Sequence, residues 1–274
     1  MPILHAIVLG ITQGLSEFLP ISSSGHLLLV PWLFNWTELT RNPELNKTFD
    51  VALHVGTFVG AIAYFRSDIA RLAGAVVRSV RRRAVETPDE RLAWLLALSA
   101  LPGAATGALL EGVIQDNLGK PWLIAVMLMV FGLVLLAADR LPEKREIGEF
   151  GLRDAVLMGV AQASALQPGV SRSGVTISMG RYLGYTRDAA ARISFLMSLP
   201  IIGGAGLYKG LKLAGDGIPP GFGPAFAWGM AASAVTGFAA VWLLLRYVRT
   251  HSFRPFVVYR FAAAALVLAV TALR

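Results

Sequence analysis

Two separate segments of the chain carry side chains that suit the binding and transfer of a phosphate group. In chain order they are Gln13, Glu17, Ser22, Ser23, Ser24 and His26 in the first segment, and Ser171, Arg172, Ser173, Gly174 and Thr176 in the second. An arginine guanidinium offers a planar fork of donors that fits phosphate oxygens. A histidine can remove a proton, donate one or attack phosphorus itself. Together these residue types predict phosphate chemistry.

Glu17 is the acidic residue of the first segment. Gln13 precedes it by four residues, so both side chains fall on one helical face. A carboxylate beside a carboxamide suits a hard divalent cation such as Mg²⁺ or Ca²⁺. Glu17 could instead orient His26 or act as an acid–base group. A buried Arg172 also needs an anionic partner, which is either Glu17 or a bound phosphate group.

The serines of both segments lie just before helical stretches. Serine is a natural helix N-cap, and a helix N-terminus presents free N–H groups and a partial positive charge. Two such helix ends that face each other would form an anion site. The residues predicted to bind phosphate oxygens in this way are Ser22, Ser24, Ser171, Ser173, Gly174 and Thr176.

The composition is that of an integral membrane protein. Of the 274 residues, 55% are hydrophobic and only 15% are charged, and the mean hydropathy is +0.60. Soluble domains are about 25% charged. The net charge of +8 lies in short blocks between long uncharged runs, which favours contact with membrane lipids and argues against nucleic acid binding. The absence of cysteine excludes disulfides, thiolate metal sites and cysteine catalysis.

Six runs are apolar enough to cross a bilayer. They are Val51–Phe65, Leu92–Leu110, Pro121–Ala138, Ile193–Tyr208, Gly217–Leu245 and Pro255–Leu273. Two further apolar segments, 3–36 and 155–179, are broken in the middle by proline and by the polar residues described above. Irregular backbone at membrane depth survives only where protein or a water-filled cavity surrounds it. We interpret both segments as re-entrant helix–loop–helix hairpins.

The two broken segments align with each other at an offset of 149 residues. The aligned pairs are Gly10 with Gly159, Gln13 with Gln162, Ser22 with Ser171, Ser24 with Ser173 and Gly25 with Gly174. Three spans lie between the hairpins, so the second hairpin must enter from the opposite membrane face. The sequence therefore predicts one all-α polytopic membrane domain over 1–274, with six transmembrane helices and two re-entrant hairpins. Its inverted repeats cover about 1–140 and 150–274.

The distribution of Lys and Arg indicates the orientation in the membrane. Of the 25 such residues, 17 fall in the loops at 66–91, 139–154, 181–192 and 246–254, which we assign to the cytoplasm. Both chain ends are then outside. His54 is expected either to line the central cavity or to pack. Arg260 is expected to snorkel or to pair internally, with a substrate contact as a further option.

Several motifs resemble those of a known family. The stretch from Gln13 to His26, QGLSEFLPISSSGH, resembles the first signature of the bacterial undecaprenyl-diphosphate phosphatases, also called bacitracin-resistance proteins. The stretch from Pro168 to Gly174, PGVSRSG, resembles the second signature, and residues 49–57 and 193–200 are also similar. The likeness extends over nearly the whole chain.

The resemblance implies hydrolysis of undecaprenyl diphosphate to undecaprenyl phosphate and inorganic phosphate. This reaction recycles the lipid carrier for peptidoglycan and other envelope polymers, and it confers bacitracin resistance. The resemblance also implies a requirement for a divalent cation, Mg²⁺ or Ca²⁺. It implies a location in the bacterial plasma (inner) membrane, with the site open to the outer, periplasmic face. A homodimer is a further expectation.

The resemblance also implies roles for individual residues. Glu17 would bind the metal and the diphosphate, while Ser23 and His26 are candidates for the nucleophile or the acid–base group. The residues that would hold the phosphates are Arg172, Ser171 and Ser173. Many family members have Glu where this chain has Gln13, which leaves Glu17 as the main acidic ligand and the Gln13 carbonyl oxygen as a second one. Three attacking groups stay open: Ser23 activated by His26, His26 itself, and a metal-bound water.

A transporter or flippase of polyprenyl phosphate is the main alternative. Inverted repeats with broken helices that meet at the midplane are frequent in transporters. A flippase would share the anion site but would need neither an attacking group nor a metal. The combination of Glu17, Ser23 and His26 therefore favours the enzyme. A purely structural membrane protein would have no use for Glu17 and Arg172 in the hydrocarbon layer.

Overall fold

The computed structural model describes residues 1–36, 43–216 and 221–274, with side chains for all of these except 43–44, 110–117 and 207–216. Within these ranges the regular secondary structure is helical, without strands, which confirms the predicted all-α class. The helices are α1 (Ile3–Phe18), α2 (Ser23–Leu33), α3 (Pro43–Arg82), α4 (Pro88–Asn117), α5 (Pro121–Asp139), α6 (Leu152–Ser164), α7 (Arg172–Tyr182), α8 (Arg187–Asp216), α9 (Gly223–Tyr247) and α10 (Arg254–Leu273). A 3₁₀ turn, Ile147–Glu149, precedes α6.

Both segments that were predicted to break consist of two short helices joined by a loop, α1 to α2 and α6 to α7. Leu19 follows the end of α1 in extended backbone, with φ −66° and ψ 142°. Proline disfavours helical backbone in the residue before it, so Pro20 accounts for the end of α1. Including the adjoining helix ends, we call residues 17–24 the first loop and residues 165–174 the second loop. That each pair of helices forms a re-entrant hairpin stays a prediction.

Six helices in the described part of the chain are long and apolar enough to cross a membrane: α3, α4, α5, α8, α9 and α10. They include the six predicted spans, although residues 217–220 of the predicted Gly217–Leu245 span lie outside the described residues. The loop expected from residue 66 was wrong, because α3 bends at Phe65 and continues as a helix to Arg82. Arg82 pairs there with the buried Glu90 of α4, and this contact stabilises the extra turns.

Helices from the two halves of the chain pack against each other in pairs. Helix α1 lies against α9, α6 lies against α4, and α10 lies against α5. A Cβ at Gly10 would lie 2.3 Å from the Gly229 carbonyl oxygen, and a Cβ at Gly159 would lie 2.6 Å from the Ser99 carbonyl oxygen. Only glycine permits such close approach of the backbones. Gly10 and Gly159 are aligned at the 149-residue offset, while the inverted relation of the halves stays a prediction.

We expect Gly10→Ala to destabilise the protein, because its Cβ would overlap the backbone of α9. Overpacking of this kind costs about 1–3 kcal/mol. Thermal unfolding in detergent, followed by tryptophan fluorescence, measures the effect. Gly204→Ala is the matched control within a membrane-length helix, since a Cβ there meets nothing within 4 Å. An equal melting temperature for the two variants would contradict the close contact between α1 and α9.

Candidate active site

The two loops lie directly against each other. The backbone N–H of Gly169 in the second loop donates to Ser22 Oγ in the first, with an N···O distance of 3.0 Å. In the other direction, Ser173 Oγ donates to the carbonyl oxygen of Leu19, also over 3.0 Å. The structure therefore brings together the two segments in which sequence analysis placed the functional residues.

Ser22 and Ser171 have closely similar conformations and cap the helices that follow them. Their φ angles are +78° and +75°, a region that residues other than glycine rarely adopt. Ser22 Oγ accepts the N–H of Gly25 over 3.4 Å, and Ser171 Oγ accepts that of Gly174 over 3.1 Å. The predicted N-caps are confirmed. The first N–H groups of α2 and α7 have no partner within their own helices.

Glu17 forms the centre of the cluster. Its carboxylate pairs with Arg172 from the second loop. Its Oε2 also accepts the Ser23 hydroxyl over 2.6 Å and the Gln13 amide N–H over 2.9 Å. The Glu17 side chain is only 5% exposed, whereas that of Arg172 is 20% exposed. Of the two expected partners for Arg172, the structure therefore contains Glu17.

His54 lies at the edge of this cluster. Its Nε2 is 3.7 Å from Glu17 Oε2, and its side chain is 38% exposed. Its other ring nitrogen, Nδ1, lies 2.8 Å from the carbonyl oxygen of Asp50, one helical turn earlier. The structure therefore places His54 next to Glu17, and its role in lining a site stays a prediction.

His26 has both ring nitrogens engaged away from Ser23. Nδ1 is 2.7 Å from the carbonyl oxygen of Ser22, and Nε2 is 2.7 Å from the hydroxyl of Tyr259. The hydrogen-bond partner of Ser23 is instead Glu17. The expectation that His26 activates Ser23 directly thus does not match this geometry.

The remaining predicted phosphate ligands fall into two groups. Ser24 is half-buried beside Ser23, and its hydroxyl makes no hydrogen bond to any residue that the structure describes. Thr176 is wholly buried, and its hydroxyl is bonded to the carbonyl oxygen of Arg172 over 2.7 Å and to Ser194 over 2.6 Å. The Ser24 hydroxyl is therefore not engaged within the described residues, whereas the Thr176 hydroxyl supports the start of α7.

The serines of the second loop and the glycine that follows them hold the loop in place. Ser171 Oγ lies 3.2 Å from Ser173 Oγ and accepts the N–H of Gly174. The Ser173 hydroxyl donates to the Leu19 carbonyl oxygen of the first loop. All three residues are buried. These hydrogen bonds therefore hold the backbone on both sides of Arg172 in place.

Arg260 is an arginine whose partners the sequence did not identify. It is fully buried, which rules out snorkelling, and internal pairing is the stated alternative that matches. Its guanidinium donates to backbone carbonyl oxygens from both loops and from α5. These belong to Pro20 at 3.1 Å, Gly169 at 2.8 Å, Val170 at 3.2 Å, Leu128 at 2.9 Å and Met127 at 3.3 Å. A single charged residue in an apolar run was the available signal, but it did not identify these acceptors.

Two side chains of the cluster, Glu17 and Gln13, carry oxygen atoms of the kind that a hard cation binds. Gln13 Oε1 is buried and has no hydrogen-bond partner, although the amide nitrogen of the same side chain donates to Glu17. Among the described residues no cluster of three or more His, Asp and Glu side chains forms a metal site. The protein thus offers one carboxylate and one unsatisfied carbonyl oxygen, a set that suits a cation whose other ligands are waters and substrate oxygens.

The six membrane-length helices within the described ranges define a multi-pass membrane protein, and its two broken segments meet at a buried cluster of hydroxyl, carboxylate and guanidinium groups. The family model described as "Bacitracin resistance protein BacA" matches residues 6–266, and the chain belongs to this family. A relative from Geobacter sulfurreducens named undecaprenyl-diphosphatase is 49% identical over 271 residues, covering 98% of each chain. A relative of the same name from Pelobacter propionicus is 47% identical over 272 residues, covering 98% of this chain and 97% of the relative.

We expect Arg260→Met to lower the melting temperature of the protein. Methionine fills a similar volume but leaves the loop carbonyls without a donor, and each unsatisfied buried polar group costs about 1–3 kcal/mol. Arg274→Met is the matched control, because Arg274 is the C-cap of the same helix and also donates to carbonyls, those of Trp32 and Leu33, but is exposed. Thermal unfolding in detergent compares them. Equal melting temperatures would contradict the role of Arg260.

Proposed function

We propose that the protein hydrolyses undecaprenyl diphosphate to undecaprenyl phosphate and inorganic phosphate, and so recycles the lipid carrier for peptidoglycan synthesis. The observation that carries the proposal is the Ser23 hydroxyl, bonded to a carboxylate that also pairs with the Arg172 guanidinium. This arrangement supplies a nucleophile, a proton acceptor and an anion-binding group within one site. The names of the relatives support the same reaction.

Substrate binding begins with Arg172. It is the more exposed member of its pair with Glu17, so its guanidinium can contact an arriving diphosphate from the second loop. The Ser24 hydroxyl and the first N–H groups of α2 and α7 add further donors. A phosphate that takes over the guanidinium leaves Glu17 free to accept a proton. The anion thereby prepares the base that the reaction requires.

The reaction follows from the position of Ser23. Its Oγ, hydrogen-bonded to Glu17 Oε2, forms a bond to the terminal phosphorus while the phosphoanhydride P–O bond breaks, and the lipid monophosphate departs; Glu17 Oε1, released from Arg172, stays available to a cation. The serine proton passes to Glu17 and then to the departing monophosphate. Water then attacks the phosphoserine, the Ser23 oxygen regains a proton, and inorganic phosphate leaves. Arg172 stabilises the charge that develops on the transferred group.

A divalent cation, Mg²⁺ or Ca²⁺, completes the proposed site. Glu17 and the unsatisfied Gln13 Oε1 would hold it, beside the oxygen atoms of the diphosphate. When bound, the cation would neutralise diphosphate charge and so assist both binding and transfer. His54, at the edge of the cluster, contributes an imidazole to the same polar surface.

We further propose the bacterial inner membrane as the location, with the site open to the periplasmic face and both chain ends outside. The excess of Lys and Arg on one side supports this orientation. A homodimer is compatible with function but is not required by it, since every group named above comes from one chain. A flippase is not favoured, because it has no need for a serine poised on a carboxylate.

The test is phosphate release from undecaprenyl diphosphate in detergent, with and without a chelator. We expect metal-dependent release by the parent protein and a loss of at least about 100-fold in Ser23→Ala, Glu17→Gln and Arg172→Gln. Ser164→Ala is the control, since this hydroxyl is bonded only to its own helix, at Ala161.

Two outcomes would count against the proposal. If the folded parent protein binds undecaprenyl phosphate but releases no inorganic phosphate from undecaprenyl diphosphate, the protein is a flippase and not a phosphatase. Full activity in Ser23→Ala would show that Ser23 is not the nucleophile, so that the attacking group is His26 or water.

We expect Gln13→Glu to lower the Mg²⁺ concentration required for half-maximal activity by roughly tenfold, because a second carboxylate is a stronger ligand than a carboxamide. Mg²⁺ should also raise the melting temperature of this variant more than that of the parent. Gln162→Glu is the control: Gln162 is aligned with Gln13, is buried and also has an unpartnered Oε1, but its amide N–H donates to the Ser99 carbonyl oxygen and not to a carboxylate. An equal metal requirement in all three proteins would rule out Gln13 as a ligand.

A further inference from the structure

Tyr259 lies at the edge of the site, where it is partly exposed and contacts His26. It precedes the buried Arg260 on α10, and 43% of the residue is exposed. Its hydroxyl lies 2.7 Å from His26 Nε2, and the two rings are stacked at 17° with their centroids 5.5 Å apart. The phenol hydroxyl thus faces inward to the imidazole while the ring remains partly open to the surroundings.

The contacts of His26 define which nitrogen carries the proton. A backbone carbonyl oxygen only accepts, so Nδ1, at 2.7 Å from the Ser22 carbonyl, must be the protonated nitrogen. In the neutral imidazole Nε2 then has the lone pair and accepts the hydroxyl proton of Tyr259. The two hydrogen bonds together hold the ring in one tautomer and one orientation.

Through its hydrogen bond to Ser22, His26 also restrains the backbone at the point where the two loops meet. The Ser22 carbonyl that it binds belongs to the residue with φ +78°, a conformation that needs support from its surroundings. The Oγ of the same serine accepts the N–H of Gly169 from the second loop. A continuous chain of hydrogen bonds therefore runs from Tyr259 through His26 and Ser22 to the second loop.

We propose that Tyr259 is a positioning residue for the phosphatase reaction, which fixes the tautomer and orientation of His26 and through it the backbone of Ser22. The proposal rests on the proposed function for its catalytic consequence. It assigns Tyr259 an effect through His26 and no contact with the substrate. Ser23, next in the chain to Ser22, is thereby kept within reach of Glu17.

The experiment compares Tyr259→Phe with Tyr182→Phe. Tyr182 is 52% exposed, and its hydroxyl makes no hydrogen bond within the described ranges, so it controls for loss of a hydroxyl from an exposed tyrosine. Nitrogen NMR of protein labelled in its four histidines reports the tautomer of each ring, and His26→Gln assigns the signals. Steady-state kinetics with undecaprenyl diphosphate report kcat and KM.

For Tyr259→Phe we expect a shift of the His26 Nε2 resonance and a kcat about 3- to 10-fold lower, the range for loss of one neutral hydrogen bond, with KM within about twofold of the parent. Tyr182→Phe should change neither. Unchanged His26 resonances in Tyr259→Phe would overturn the proposal, and so would a loss confined to KM, which would place Tyr259 on the substrate. The NMR result does not depend on activity, so a shifted resonance in a protein without phosphatase activity would refute the proposed function alone.

Discussion

The fully buried guanidinium of Arg260 constrains both loops at once. It donates to the carbonyl oxygen of Pro20 in the first loop and to those of Gly169 and Val170 in the second. A cation inside a protein is costly, and carbonyl dipoles that converge on it reduce that cost. Separating the loops would remove these acceptors and restore the cost. The loops therefore behave as one unit, and the functional groups that they carry keep a fixed relation.

Within that unit, the pair of Glu17 and Arg172 has a different character. Buried ion pairs contribute little net stability, because the desolvation of both charges offsets their attraction. Arg260 already joins the loops through backbone contacts, so the second cation is not needed for that purpose. Arg172 is also the more exposed member of its pair, which makes exchange of Glu17 for an arriving anion feasible. The proposed binding of a diphosphate therefore accounts for this pair better than a contribution to stability does.

The sequence was sufficient for features with a local cause. Pro20 marks the end of α1, and the serines before α2 and α7 mark the caps, because both effects act over a few residues. The six spans followed from length and hydropathy, and the pairing of Glu17 with Arg172 was one of two stated options. The contacts of Arg260 and Tyr259 could not be predicted. Every residue has a carbonyl group, and no pattern indicates which of them will converge on an arginine 90 or more positions away.

The two loops share a backbone design but not a chemistry. At the 149-residue offset, Ser22 corresponds to Ser171, and both cap a helix with the same positive φ. At the same offset Glu17 corresponds to Leu166, and Ser23 corresponds to Arg172. The first loop therefore supplies the hydroxyl and the carboxylate, while the second supplies the cation. In the proposed mechanism, neither loop can bind and cleave a diphosphate without the other. The close contact of the loops is thus a requirement of the chemistry as well as of the packing.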